Sequence, residues 1–388
     1  MVKHLLTPAP LTLAIWLVLA ISAVVLHQPN NLLAEVLGLL AIMFPSGLLV
    51  LCAHELGHVV GGLLSGYRFV ALICGPIAVW RGKAWLQARR NEHWSLYPGA
   101  TLMAPRGPGL PPTRDAVSLY AGGPLASLLL GALGMSLHFG LGLHTVKRST
   151  IAAGTHTFGD QFLGNLTLML GVLSLAIVCA TAIPNALGGF LSDGAAIRML
   201  LKGGHEAERL LAINALMGQF FAGVRPRDWS PEFVRQAACV QDGSAVESGA
   251  ASYGLLHALD QGDLTAARGY LARMQATSGN APALSQGELR GAEAWLAVAD
   301  GHITEARAAF EQMQGAMVDE FSRRRVLAAI LLAEGKEDEG MAAAREGLAL
   351  MEQQDNPFPG TENMEREWLE QLADGRLPTV LTPKAIED

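Results

Sequence analysis

The 388-residue chain is short of charge: only 16% of its residues are Asp, Glu, Lys or Arg, and these are unevenly placed. The formal net charge is -7 and no basic stripe stands out. A dedicated nucleic-acid binder, which must neutralise phosphates, is therefore excluded. Cysteine is also scarce. Cys52, Cys74, Cys179 and Cys239 show neither metal-site nor disulfide spacing. Three of them lie in apolar segments and read as small core hydrophobes, and nothing requires an oxidising compartment.

What the chain has is apolar length. It is 51% hydrophobic, with a mean hydropathy of +0.29, high for a soluble protein. The first 200 or so residues are apolar and glycine-rich, and the remainder is rich in Ala, Glu, Arg and Gln. Four segments approach the roughly 20 apolar residues of a helical membrane crossing. They run over 9–26, 32–52 (continuing to about 64, with Pro45 as a possible kink), 117–141 and 162–183. The first, preceded by Lys3, has a signal peptide as its alternative reading.

Lysine and arginine placement predicts orientation. The loop between the second and third segments carries Arg68, Arg81, Lys83, Arg89, Arg90, Arg106 and Arg114, whereas the link between the third and fourth has only Lys147 and Arg148. This predicts a cytoplasmic basic loop and cytoplasmic termini. Within the loop, "YRFVALICGPIAVW" reads as a β-rich or re-entrant piece and "LYPGATLMAPRGPGLPP" as turns. Trp16, Trp80, Trp85 and Trp94 suit the membrane interface. His93, His138, His144 and His156 read as interfacial or solvated.

Beyond about residue 204 the character changes. Residues 205–232 read as a linker, 233–377 as a soluble helical repeat domain and 378–388 as a polar tail. Turns recur around Gly262, Gly301 and Gly335, close to the period of about 34 residues of tetratricopeptide repeats. The expected fold is thus mainly α. A polytopic helical membrane core of about four spans with a short re-entrant or β-rich loop (1–204) precedes the repeats.

The second apolar segment contains "HELGH", residues 54–58. Polar groups in membrane-grade sequence are costly and usually functional. His54 and His58, four apart, share one helix face and can grip one Zn²⁺. Glu55 beside them suits a general base on a metal-activated water. A third ligand is needed. The extended H-E-x-x-H-x-x-G-x-x-H pattern fails, because Leu64 occupies its third histidine position. Asp193, just past the fourth segment and predicted on the histidines' side, is the better candidate. Its rivals are Asp160, expected at the opposite face, and Glu92, in a polar run. Asp193 also reads as a helix N-cap, since Gly194 and Ala195 follow.

At this point the chain resembles the site-2 protease family of intramembrane zinc metalloproteases. The resemblance rests on "HELGH", on "NALGGFLSDG" (185–194) and on "AGGPLASLLLG" (121–131), and covers about residues 30–205. Gly188 replaces the family's usual proline, and Ser127 stands where Asn is common. The resemblance implies His54, His58 and Asp193 as ligands of one zinc ion, with Glu55 as catalytic base. It also places Asn185 near the active site, with Ser127 a possible substrate contact. The implied activity is hydrolysis of peptide bonds in membrane-protein substrates, with the active site toward the cytoplasm. A strand over "FVALICGPI", with Gly75 and Pro76, is expected to hold unwound substrate by edge pairing. The repeats offer a surface for a protein partner. The competing readings are a membrane scaffold with a structural zinc site, acting through its repeats, and a metal-handling membrane protein.

Overall fold

The computed structural model describes residues 32–81, 86–91, 99–143, 158–187, 190–280, 286–313, 318–353 and 359–381. The first expected span lies outside the described residues, as do Trp16, Trp85, Trp94, Glu92, His93, His144 and His156.

The protein is mainly helical, and three helices are long and apolar enough to cross a membrane. They are α1 (Leu32–Leu64), α2 (Thr113–Gly140) and α3 (Phe158–Ala182). Pro45 sits inside α1 without ending it. Their apolar side chains face outward as well as inward: Leu49, Val60, Leu129 and Leu133 are each more than half exposed. A water-soluble protein would bury that surface. Inward, glycine sets the packing. A Cβ on Gly57 or Gly122 would strike the other's carbonyl, and one on Gly61 would meet Ser118 O at 2.5 Å. Gly57-x-x-x-Gly61 therefore lets α1 lie directly on α2, the small-residue contact favoured where lipid removes the hydrophobic driving force. Farther along α2, His138 is buried rather than interfacial or solvated: its Nδ1 lies 3.1 Å from Gly164 O of α3.

Between α1 and α2 lies a four-stranded antiparallel sheet in the order β3-β2-β1-β4. The strands are β1 (Tyr67–Cys74), β2 (Ile77–Arg81), β3 (Leu86–Arg90) and β4 (Gly99–Pro105). Only Ser65 and Gly66 separate α1 from β1, and Gly66 takes φ 79°. β1 then runs back along α1. At 3.3 Å per residue its length is about 23 Å, close to the roughly 18 Å of helix from Leu64 back to Cys52. A Cys52–Cys74 disulfide closes that return. Two expectations change here. These cysteines are bonded, not free core residues. Trp80 is 7% exposed, packed in the sheet with Arg89 stacked 5.0 Å over its ring, rather than at an interface.

After α3, a two-stranded hairpin, β5 (Ala186–Leu187) with β6 (Phe190–Leu191), leads into α4 (Asp193–Lys202). The expected linker is largely structured. Residues 205–221 form α5 (His205–Phe221), which buries Leu210, Leu211, Ala212, Ala215 and Leu216. Leu210 and Leu211 join Ala116, Ala196 and Leu200 in one core, and α5 also packs on β4. A long apolar face, not a run of turn residues, decides that stretch.

The C-terminal half is α6 (Pro231–Ala237), α7 (Ala245–Gln261), α8 (Leu264–Thr277), α9 (Gln286–Ala299), α10 (Ile303–Glu311), α11 (Glu320–Ala333), α12 (Glu337–Gln353) and α13 (Glu362–Ala373). Three hairpins turn at Gly262, Gly301 and Gly335, with φ 72°, 75° and 77°. Each turn closes alike: Asp263 N–H bonds Ala258 O, His302 N–H bonds Ala297 O, and Lys336 N–H bonds Leu331 O. This is the glycine-dependent helix stop. Trp295 stacks on Trp368 at 5.2 Å, and Arg325 lies over both while pairing with Glu365 at 2.6 Å. Leu381, in the expected polar tail, is 3% exposed and belongs to this core.

Candidate metal centre

His54 and His58 come from the C-terminal third of α1, one turn apart on the face that meets α2. Asp193 arrives from a distant stretch of chain. The three converge. His54 Nε2 lies 3.3 Å from Asp193 Oδ2, His58 Nε2 lies 3.4 Å from Asp193 Oδ1, and the two Nε2 atoms are 3.3 Å apart. The outer ring nitrogens are both engaged: His58 Nδ1 with Leu119 O at 2.9 Å and His54 Nδ1 with Ser127 Oγ at 3.0 Å.

The Leu119 bond fixes a tautomer. A carbonyl only accepts, so His58 Nδ1 carries the hydrogen and the neutral ring turns the lone pair of Nε2 inward. It faces a carboxylate and a second imidazole nitrogen. If His54 likewise turns a bare Nε2 inward, three acceptors meet in a pocket where His54 and His58 are 4% and 8% exposed, a set that could hold a cation. The spacing suits zinc. Bonds of about 2.0–2.1 Å at tetrahedral angles hold ligand atoms about 3.3 Å apart; the two Nε2 atoms stand at that separation, and each has one Asp193 oxygen at 3.3–3.4 Å, His54 with Oδ2 and His58 with Oδ1. Among the described residues, this is the group of His, Cys, Asp and Glu placed to hold a metal ion. It supplies three ligands, which leaves a tetrahedral ion one open position.

The room for the two imidazole rings comes from Gly123. A Cβ there would fall on His58 Nε2 and 2.8 Å from His54 Cε1. The carboxylate is delivered by a braced loop. Ser192, not Asp193, is the N-cap of α4: its Oγ accepts from Ala195 N at 3.2 Å, accepts from Asn185 N at 3.0 Å and donates to Ile183 O at 2.9 Å. Capping thus falls to the neighbour, and the Asp193 side chain stays free for the histidines. Gly194 sits against Ala182 O, where a Cβ could not fit, so α4 starts directly on the end of α3.

Asn185 does not reach the cluster. Its Nδ2 donates to Ala180 O (3.0 Å) and Ile183 O (2.8 Å), and its own carbonyl accepts from Ser192 N (3.0 Å), so it ties the loop that presents Asp193. Ser127 is buried and engages His54. Gly75, at φ 54°, and Pro76 form the β1–β2 turn: a Gly75 Cβ would lie 2.5 Å from Leu48 Cδ2, and Asn91 bonds both carbonyls. Leu48 is six residues, or about 9 Å of helix, before His54. β1 is interior, paired on both sides with β2 and β4, so it has no free edge for a substrate. Asp160 opens α3, about 33 Å of helix from its end at Ala182, and is no rival ligand.

Glu55 is 7% exposed, and its Oε2 accepts from Thr101 Oγ1 of β4 at 2.7 Å. Gly99 of the same strand leaves space for it, since a Cβ there would lie 2.6 Å from Glu55 Oε1. Neither Thr101 nor Gly99 belongs to a recognisable sequence signature. The signal that could have found them is the turn-rich stretch entering a short apolar strand, which brings the chain back to α1.

Comparison of the chain with family models, with curated proteins and with solved structures finds no match.

Proposed function

We propose that this chain is an intramembrane zinc endopeptidase. In this reading the helical core has about four spans, its basic loop and termini face the cytoplasm, and tetratricopeptide-like repeats follow. One observation carries it: two imidazole nitrogens and a carboxylate converge at the separations a tetrahedral zinc ion requires, with a buried glutamate beside them. Zinc bound there would supply an acidified water and polarise a substrate carbonyl. His58, through Leu119 O, and His54, through Ser127, keep their inner nitrogens aimed at the ion. Glu55, steadied by Thr101, takes the water's proton and returns it to the leaving amine. The substrate is a membrane-protein helix, unwound locally so that its backbone amides are free. It adds to β4, an edge strand among the described residues, whose Thr101 already touches Glu55.

A scaffold with a structural zinc site fits less well. Structural zinc sites have four protein ligands, and three are brought together here. A structural site also has no use for Glu55. The deciding experiment compares wild type with Glu55→Gln, Asp193→Ala and Asp160→Ala, measuring zinc content and cleavage of a membrane-helix reporter. Glu55→Gln should keep zinc and lose cleavage, Asp193→Ala should lose both, and Asp160→Ala should lose neither. Cleavage surviving in Glu55→Gln would remove the proposed base.

A further inference from the structure

The disulfide sits on the metal centre. Cys52 precedes His54 by two residues on α1, and Cys74 is the last residue of β1. Cys74 is paired in register with Gly99 of β4. Gly99 in turn abuts Leu51 and Glu55, with no space for a Cβ between them. The contacts run from Cys52 through Cys74 and Gly99 to Glu55 and close within about one helical turn. The covalent bond therefore presses the end of the β1–β4 pair onto the glutamate.

That placement conflicts with access. His54, Glu55 and His58 are 4%, 7% and 8% exposed, so a peptide segment reaches them only if something moves. Over Glu55 the covering piece is the sheet end, and it is the piece that is tied down. The sidedness is equally pointed. The basic residues between α1 and α2 predict a cytoplasmic face, where disulfides are transient or redox-sensing rather than permanent.

We propose that Cys52–Cys74 is a reversible thiol–disulfide switch that closes the site when oxidised and lets the sheet end lift when reduced. In opening, a thiolate of a small thiol reductant attacks one sulfur of the bond and forms a mixed disulfide, and a second thiol resolves it. Two electrons and two protons pass to Cys52 and Cys74, and the reductant leaves as its own disulfide. A small disulfide reverses each step. Cys52 is half-buried and Cys74 is buried, so Cys52 is the more accessible sulfur. That a peptide is what enters, and that the bond faces the cytoplasm, rest on the proposed reading; the opening and re-forming of the bond are measured without it.

The test uses the full-length, zinc-loaded chain in detergent micelles, equilibrated with reduced and oxidised glutathione across a range of ratios. Three quantities are read: the thiol state of Cys52 and Cys74 by maleimide mass tagging, amide exchange over residues 99–105, and cleavage of a helical reporter. The bond should open and re-form reversibly. Reduction should speed exchange in β4 by about tenfold or more, the signature of local opening, and raise cleavage in parallel. Cys52→Ser/Cys74→Ser should behave as permanently reduced. Cys179→Ser/Cys239→Ser, which removes the unpaired and exposed cysteines, should keep the full response. A bond that resists excess glutathione in the native protein, equal β4 exchange in both states, or a redox response surviving in Cys52→Ser/Cys74→Ser would each overturn the switch. Absence of cleavage in every state would count against the hydrolase reading alone, because tagging and exchange still decide the switch.

Discussion

Gly123→Ala separates metal binding from folding better than any ligand substitution. The change adds one methyl group in the interior of α2. For the helix alone the effects oppose: glycine in a helix interior costs about 0.5–1 kcal/mol relative to alanine, but Gly123 precedes Pro124, whose ring disfavours a Cβ on the helical residue before it. The new Cβ, however, would coincide with the space of His58 Nε2 and stand 2.8 Å from His54 Cε1. Ordinary carbon–nitrogen contact needs about 3.5 Å or more, so His58 must retreat by about 1 Å. Metal–ligand bonds tolerate roughly 0.2 Å. Displacing a ligand by several times that margin should weaken zinc by more than the about 10- to 100-fold that follows loss of a hydrogen-bonded support.

The expected pattern is therefore near-complete loss of zinc and cleavage with the apo-protein melting near or slightly below the wild-type temperature. Gly122→Ala is the control on the adjacent residue. Its Cβ would strike the Gly57 carbonyl and the backbone of His58 rather than the imidazole rings, so it should loosen the α1–α2 contact and lower the melting temperature. Zinc by elemental analysis and thermal unfolding of metal-stripped protein in detergent would distinguish them. Stoichiometric zinc of wild-type affinity in Gly123→Ala would refute the assignment of the cradle, and with it the claim that both Nε2 atoms face the ion.

Four further outcomes follow from the same geometry. Thr101→Val should retain zinc and reporter KM while lowering kcat by about tenfold or more, because an unsteadied Glu55 is a poorly aimed base; Thr101→Ser should restore most of it. Ser192→Ala removes the α4 cap and the brace on Ile183 and Asn185, and should cost about 1 kcal/mol in thermal unfolding together with a measurable loss of zinc affinity. In the helical half, Arg307 and then Lys336 hold the Glu334 carboxyl down at about 2. Since this folded value lies below the ordinary 4.5, the stabilisation is complete above about pH 4.5 and disappears as pH falls toward 2; Glu334→Gln should abolish that part of the acid sensitivity, at a cost near pH 7 of no more than about 1 kcal/mol by urea unfolding. Truncation after residue 204 strips Leu210 and Leu211 from their shared core with Ala116, Ala196 and Leu200, at about 1.5–3 kcal/mol for each leucine; the truncated core should aggregate on extraction, whereas a chain ending after residue 222 should be the better behaved of the two.

How far the sequence could be read depended on how local each cause was. The histidine pair follows from helical periodicity, and Asp193 follows from its position after an apolar segment. The glycine turns at 262, 301 and 335 follow from the left-handed backbone that glycine alone adopts cheaply. Each of these needs only a few neighbours. Ser127 and Asn185 were found as residues but not as roles, because a role depends on what stands opposite. Ser127 faces His54 across the α1–α2 contact, and Asn185 faces its own loop carbonyls, partners that lie outside any local sequence pattern. The disulfide, Thr101 and the interior position of β1 were illegible for a stronger reason. All three depend on the register of β1 along α1, set by a two-residue connection and by strand pairing across a gap of some 30 residues. The linker expectation at 205–232 failed on a different ground. Composition marks Gly223 to Phe233 as turn-like, but α5 before it has the apolar face of a core helix, and periodicity outweighs neighbouring turn residues when the face is long enough to be buried. The C-terminal helices consequently do not hang from a flexible tether. α5 packs on β4, which carries Thr101, and α7 touches β6, one residue from the cap that frees Asp193. Through α5 and α7, the chain beyond residue 204 therefore approaches both pieces that carry Thr101 and Asp193.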